Sequence, residues 1–230
     1  MTPEEINKII EIPAWDSVSA IKPNEAAYIY QFIKEHNLSR TVETGFAFAR
    51  SASHIMAATE NDHIAIDPFQ SRYKNMGLSN IEKLGFSDKL RFEPDFSHNV
   101  LPKLVNEKKT FDFIFIDGSH SFDGILIDFY YANLLLEQKG YVMLHDTWMR
   151  STRLVENYIK TNLTNYRYIK SPLRNLSIFQ KLGEDTRDGM GFTEFYTFKS
   201  YFVYKLITWM ANGERTFLKS VALKIKDILK

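Results

Sequence analysis

Four side chains able to move a proton or hold a cation fall in two short segments. In Phe111-Asp-Phe-Ile-Phe-Ile-Asp-Gly-Ser-His120, an apolar run ends in Asp117, and His120 follows on the next turn of chain. In Gly140-Tyr-Val-Met-Leu-His-Asp146, a second apolar run ends in His145 and Asp146. Carboxylates bind hard cations, and imidazole exchanges a proton near neutral pH. Asp117, His120, His145 and Asp146 could therefore serve general-base or metal-assisted chemistry, if one edge of a fold brings them together.

Apolar runs of this kind read as strands buried on both faces. Polar residues at the carboxyl ends of such strands lie where open α/β sheets bind ligands. The rest of such a sheet is legible around them. Strands are expected at 41–45, 63–67, 89–93, 112–117, 141–145, 166–170 and 175–181, and helices at 23–37, 51–58, 100–107, 121–138 and 151–162. This alternation implies a Rossmann-like, doubly wound, mostly parallel seven-stranded α/β sheet. The last two strands are joined by a short connection containing Pro172, which suits an antiparallel pair at the edge.

Residues 1–182 are read as one domain, with 1–22 as an N-terminal cap segment. A Gly- and Asp-rich linker at 183–191 leads to helical patterns at 194–211 and 214–229, a helical C-terminal extension. The last pattern sets Phe217, Leu218, Val221, Ile225, Ile228 and Leu229 against four lysines. A helix packed on the domain or on a twin subunit in a homodimer explains it; peripheral membrane contact is the alternative.

Composition narrows the function classes. Of 230 residues 44% are hydrophobic, so a packed core is expected. A net charge of +1 gives no global attraction to nucleic acid. Cysteine is absent, which excludes thiolate nucleophiles and cysteine-ligated zinc. The N-terminal residues lack an apolar signal core, and no stretch is suited to span a bilayer, so a cytoplasmic location is expected.

Three turns complete the candidate site. Glu43-Thr-Gly-Phe-Ala-Phe-Ala-Arg-Ser51 joins the first strand to its helix, where Gly45 can take positive φ and free helix N–H groups can meet an anion. It has one glycine where a dinucleotide fingerprint has three. Asp67 ends the second strand, where an acid accepts hydrogen bonds from ribose hydroxyls in nucleoside-binding sheets. Asp95, Phe96 and Ser97 follow the third strand, and could hydrogen-bond and cover a nucleobase.

The order Glu43-x-Gly45-x-x-x-Ala49-x-Ser51, Asp67, Asp95-Phe-Ser97, Asp117-Gly-Ser-His120 and His145-Asp146 resembles S-adenosylmethionine-dependent methyltransferases. It is most similar to the catechol O-methyltransferase-like group and its bacterial sugar- and antibiotic-modifying relatives. The resemblance implies S-adenosyl-L-methionine as cofactor and methylation of a small-molecule or saccharide hydroxyl. It implies contact of Glu43 and Gly45 with the methionine part, of Ser51 with its carboxylate, of Asp67 with ribose, and of Phe96, Ser97 and His98 with adenine. Asp117 would border the cofactor and, with Asp146, match two carboxylates that bind a divalent cation, Mg or Mn, in metal-dependent members. His145 or Thr147 would flank that cation, and His120 falls where a catalytic base lies. Trp15, Trp148 and Met149 are candidates for the acceptor pocket. Two other readings compete: a non-catalytic cofactor-binding scaffold on the same fold, and a metal-dependent hydrolase suggested by the His145-Asp146 dipeptide.

Overall fold

The computed structural model describes residues 1–187 together with Phe202 and Leu206. The expected helices at 194–211 and 214–229 therefore lie outside the described residues, apart from those two positions. Seven strands form one sheet: β1 Thr41–Thr44, β2 His63–Ile66, β3 Leu90–Glu93, β4 Phe111–Ile116, β5 Leu136–Leu144, β6 Tyr166–Ile169 and β7 Ser177–Lys181. Their order is β3-β2-β1-β4-β5-β7-β6. The first five pair in parallel, and β7 pairs antiparallel with both β5 and β6. This is the mostly parallel, Rossmann-like sheet with an antiparallel edge that the alternation predicts.

The helices are α1 Pro3–Ile9, α2 Pro23–His36, α3 Arg50–Thr59, α4 Met76–Lys83, α5 Ser97–Asn106, α6 Phe122–Leu135 and α7 Arg150–Asn162. β4 shows why the sheet needs cover on both sides. Ile114 and Ile116 pack into a core with Leu101, Leu104, Phe129 and Val155, from α5, α6 and α7. Phe113 and Phe115 pack on the other face with Ile29, Phe32, Ile33 and Ile55, from α2 and α3. Alternate residues of one strand thus feed two cores. The chain runs outward from β1 to β3, then returns to place β4 beside β1, so the strand order reverses between these two. Ligand crevices open at such reversals.

Several boundaries differ from expectation. α1 lies within the cap segment and was not anticipated, although Thr2 and Glu5 form a capping box: each side chain accepts from the other's backbone N–H, at 3.3 and 2.8 Å. It seats Ile6 in a small core with Ala57 and Leu84. α4 was likewise unanticipated. α6 ends at Leu135 rather than 138, because Leu136 turns extended and starts β5 early, with a shift in register against β4. α5 begins at Ser97, not at Val100.

β4 is anchored at its amino end by a buried acid. The Asp112 carboxylate accepts from the Ser39 and Arg40 backbone N–H groups and the Ser39 hydroxyl, each at 3.0 Å. These bonds hold the turn that feeds β1. Asp112→Ala leaves three donors without their acceptor and should lower unfolding free energy by about 1–3 kcal/mol. Chemical denaturation checks this; an unchanged midpoint would contradict the role.

Candidate functional site

A cavity of about 850 Å³ opens at the carboxyl edge of the sheet, over the reversal between β1 and β4. The residues following each strand end are tied sideways to the neighbouring strand. Asp67 N donates to Glu93 O, Gly45 N to Ile66 O, Asp117 N to Thr44 O, and His145 N to Ile116 O, at 2.9–3.1 Å. Residues far apart in sequence are thereby set in one row.

Gly45 is required where it stands. Its φ is +88°, and an added Cβ would lie 2.4 Å from the Asp117 carbonyl oxygen. The loop it opens continues through Ala47 and Ala49, both at positive φ. Left-handed alanines are strained, and such strain persists only where neighbours impose it. Asp67 is one such neighbour. Its Oδ2 accepts from Phe46 N and Ala47 N at 3.1 and 2.9 Å, and its Oδ1 from Phe69 N at 2.6 Å. Arg50, at the start of α3, donates through Nη1 to the Ile21 carbonyl at 2.7 Å, drawing the segment before α2 over the cavity. Among the described residues its buried Nε has no hydrogen-bond partner, and burial lowers the pKa of the guanidinium.

The opposite wall carries the titratable cluster. Ligand atoms of Asp117, His120 and Asp146 all lie within 4.8 Å of one another. His120 Nε2 pairs with Asp146 Oδ2 at 2.8 Å. That bond raises the His120 pKa above 6.5 against partial burial. Burial acts to raise Asp146, but bonds from His120, His145 and Trp148 hold it far below the usual carboxylate range. Burial dominates at Asp117 and raises it, despite the charge of His145. Asp146 itself sits at φ 53°, a left-handed conformation that aims the end of β5 into the cluster.

His145 plays a different part from His120. Its Nδ1 lies 2.8 Å from Asp117 Oδ1, and its Nε2 lies 3.1 Å from Glu25 Oε2. Burial disfavours its charge, yet Asp117, Asp146 and Glu25 push the imidazole up to about 12, so it is a cation at neutral pH. Nε2 also lies 2.9 Å from Asn175 Nδ2, so this nitrogen is shared between Glu25 and Asn175, and His145 is not among the residues whose ligand atoms gather within 4.8 Å. Thr147 is also directed elsewhere: its hydroxyl donates to the Arg174 carbonyl at 2.6 Å. Glu25, buried in the first turn of α2, is a residue that sequence reasoning missed, as is Arg50 on the opposite wall. The local pattern of Glu25 is that of a capping acid, bonded to Lys22 N at 2.9 Å, and its meeting with His145 is non-local.

The other expected residues divide. Gly45, Ser51, Asp67, Phe96, Ser97, His98, Asp117, His120, His145 and Asp146 line the cavity. Glu43 does not. It is fully buried in β1 facing His63 Nε2 at 3.5 Å, and burial raises its pKa against bonds from His63 and Ser51. Asp95 turns outward, accepting from Phe96 N and Asn99 Nδ2 at 2.8 Å each, and so braces the start of α5. Trp148 stands exposed at the rim and donates to Asp146 Oδ1 at 2.9 Å. Trp15 packs edge-on to Phe48 and, like Met149, is not part of the wall. Among the described residues, no helix is long and apolar enough to cross a membrane.

Comparison with known proteins agrees with this architecture. Residues 42–147 match the family model described as a methyltransferase domain. Caffeoyl-CoA O-methyltransferase 5 of Nicotiana tabacum is 28% identical over 124 residues, which cover 50% of this chain and 51% of the relative. Caffeoyl-CoA O-methyltransferase 2 of Petunia hybrida is 30% identical over 124 residues, 50% of each chain. The chain thus spans about half the length of the curated relatives it matches. An O-methyltransferase from Bacillus cereus in complex with SAH shares the fold at a TM-score of 0.61 and 14% identity, covering 79% of this chain and 90% of that one. The O-methyltransferase TomG from Streptomyces achromogenes, in complex with SAM, gives 0.61 and 13%, covering 78% and 95%.

The charge on His145 has a measurable consequence. A histidine whose pKa is raised on folding stabilises the fold fully below its ordinary value of 6.5, and that contribution is lost as pH climbs toward about 12. The stability gap between wild type and His145→Gln should therefore narrow steadily from neutral to alkaline pH. A gap that stays constant in thermal or chemical denaturation would show that His145 is neutral in the fold.

Proposed function

We propose that this chain is an S-adenosylmethionine-dependent O-methyltransferase acting on the hydroxyl of a small molecule, a saccharide being one acceptor class to test. The observation that carries the reading is the convergence of Asp117, His120 and Asp146 opposite Gly45 and Asp67 on one cavity. The sequence match to a methyltransferase domain over residues 42–147 supports it.

The cavity residues fit the cofactor. About 850 Å³ is within the range of small-molecule pockets. Arg50 and Ser51, at the amino end of α3, both line the cavity and bring a guanidinium charge and a hydroxyl to where a methionine carboxylate would lie. Asp67 has about four lone-pair sites, of which loop amides use three, leaving one for a ribose hydroxyl. Phe96 and His98, stacked at 5.2 Å, form an aromatic ledge for the base, with Ser97 between them in sequence. Glu43 would serve from beneath, through Ser51, rather than by contact. When bound, the cofactor would supply a sulfonium methyl for in-line transfer to the acceptor oxygen, with the thioether of S-adenosylhomocysteine as leaving group.

The protein's part is orientation and removal of a proton. His120 is the group placed for the proton, since His145 is already charged. Its bond to Asp146 raises its pKa, which strengthens it as a base and moves its neutral, proton-accepting form to higher pH. The positive charge of His145 offsets the adjacent carboxylates and eases formation of an oxyanion nearby. Asp117, His120 and Asp146 also fit a divalent cation. Two carboxylates with one imidazole suit Mn better than Mg, which prefers oxygen alone. Such a cation would lower the pKa of the acceptor hydroxyl. An imidazole engaged as a ligand cannot also accept the proton, so the two uses of His120 exclude each other.

Calorimetry with S-adenosylhomocysteine should show binding in about the micromolar range, near −8 kcal/mol. No heat with it or with S-adenosylmethionine would sink the reading. With caffeoyl-CoA, simple catechols and sugars as trial acceptors, His120→Ala should cut turnover about 10²–10⁴-fold while leaving cofactor affinity unchanged. EDTA and added Mn²⁺ separate the modes. If EDTA leaves the rate unchanged, His120 acts as a base without metal; if EDTA removes it and Mn²⁺ restores it, His120 is a ligand. Cofactor binding with no turnover on any acceptor would favour a scaffold.

A further inference from the structure

The outward face of α6 has no partner among the described residues that accounts for it. From Gly124 to Leu135 the helix holds a single charged residue, Asp128, and that side chain is buried. Ile127, Tyr130 and Leu134 are 41%, 58% and 49% exposed. Their spacing of three and four residues sets them in one stripe along the helix. A surface helix carries charge on its outer side, and one that is apolar all round is covered by something. The stripe starts at the cavity, since Asp123 and Ile127 line its wall. It ends beside Asn133 and Leu136, whose carbonyls accept from Lys181 Nζ at 2.9 Å each.

The chain itself leads a cover to that spot. β7 ends at Lys181, and the next carbonyl, of Leu182, accepts from Gln138 Nε2 at 2.8 Å, just past the end of α6. Arg187 Nη1 then donates to the Tyr158 hydroxyl on α7, the helix that shares a core with α6. Residues 188–230 continue from the carboxyl end of α6. Within them, Phe217, Leu218, Val221, Ile225, Ile228 and Leu229 fall in one sector of about 120° at helical spacing, with lysines outside it. Phe202 and Leu206, from the earlier helical pattern, stand exposed instead. An extended residue spans about 3.3 Å, so the chain from Arg187 to Glu214 easily reaches along α6, which is about 21 Å long. Charge favours the same contact. The whole chain nets +1 and residues 214–230 net +3, so the remainder nets −2 and attracts the segment.

We propose that residues 214–229 dock their apolar stripe on the outward face of α6 of the same chain, over Ile127, Tyr130 and Leu134, and form the outer lip of the cavity. The tether decides between this occupant and a second copy. A segment joined by a linker of this length meets its own α6 at an effective concentration near millimolar, well above that of another molecule in dilute solution. The docked segment adds a wall where Asp123 and Ile127 leave the cavity open to solvent. The inference does not depend on the cofactor or on the reaction.

The chain lacks cysteine, so paired cysteines report contact without background. In the full chain, Tyr130→Cys is combined in turn with Leu218→Cys, Val221→Cys, Ile225→Cys and Ile228→Cys. In the controls Glu35→Cys, exposed on α2 across the sheet, replaces Tyr130→Cys. Mild oxidation should close at least one Tyr130 pair within a single chain, seen as a faster band on non-reducing electrophoresis, while the controls stay open. Four pairs that close no faster than the controls overturn the proposal. Closure mainly into disulfide-linked dimers also overturns it and assigns the segment to a second copy. If no pair closes and the chain sediments with phosphatidylglycerol vesicles, the stripe lies on lipid and the proposal again fails. Proteolysis gives a readout free of engineered thiols. Trypsin should cut after Lys219, Lys224 and Lys226 about tenfold faster in Tyr130→Asp/Leu134→Asp than in wild type, because cleavage follows the undocked fraction. Both substitutions lie at exposed positions and leave the core intact. Equal cleavage rates overturn the proposal.

Discussion

The site depends on a line of single backbone hydrogen bonds just beyond the strand ends. Each residue that follows a strand donates to the last residues of the next one: Asp67 to Glu93, Gly45 to Ile66, Asp117 to Thr44, His145 to Ile116. Parallel pairing makes this possible, because all five strands end at the same edge. The polar side chains of four loops are thus carried on the sheet itself rather than on free loops. That matters for a group transfer in which small misplacements are expensive. The close contact at Gly45 tightens the arrangement, since any side chain there would collide with the Asp117 carbonyl.

Electrostatics then decides which of the gathered groups can react. Two carboxylates and two imidazoles share a small space, with a third carboxylate, Glu25, reaching in from α2. An isolated buried charge would be neutralised by a shift in pKa. Here the charges compensate one another. Burial acts to raise Glu25, but the His145 bond, with further bonds from Lys22 and Asn175, leaves it below its ordinary value. These acids in turn favour the charged form of His145 against its burial. His120, half exposed, is bonded to Asp146 with Asp117 close by; the Asp146 bond raises its pKa against partial burial, and its ring stays open to the cavity. Two histidines that look alike in the sequence differ because one is buried among three acids and the other is half exposed, bonded to Asp146 with Asp117 nearby.

The sequence carried the frame of this arrangement more fully than its details. Apolar runs ending in Asp67, Asp117 and Asp146 are local signals, and each marks a strand end at the cavity. Gly45 is local too, because positive φ favours one residue type. What could not be read was set by tertiary contact. Glu25 looks like any capping acid until α2 packs against β5. Glu43 and Asp95 occupy positions that suggest ligand contact, yet one is enclosed by His63 and the other bends back on α5. The α6–β5 boundary was misplaced because residues 130–136 are apolar enough for either state. There the pairing with β4, not propensity, ends the helix. The capping box of α1 was a legible local signal whose short helix was nevertheless overlooked.

β4 is staked at both ends. At its start Asp112 is clasped by three donors from the turn before β1, and just past its end Asp117 is pressed against Gly45. Five positions separate these acids, so on a strand they face opposite ways. Sliding β4 by one residue would pull Asp112 from its clasp, drive the wrong residue against the glycine, and exchange the phenylalanine face for the isoleucine face. The strand behaves as a ruler of fixed length between the floor of the sheet and its working edge. Its two carboxylates share a residue type and divide the labour: one keeps the register, and the other is delivered by it.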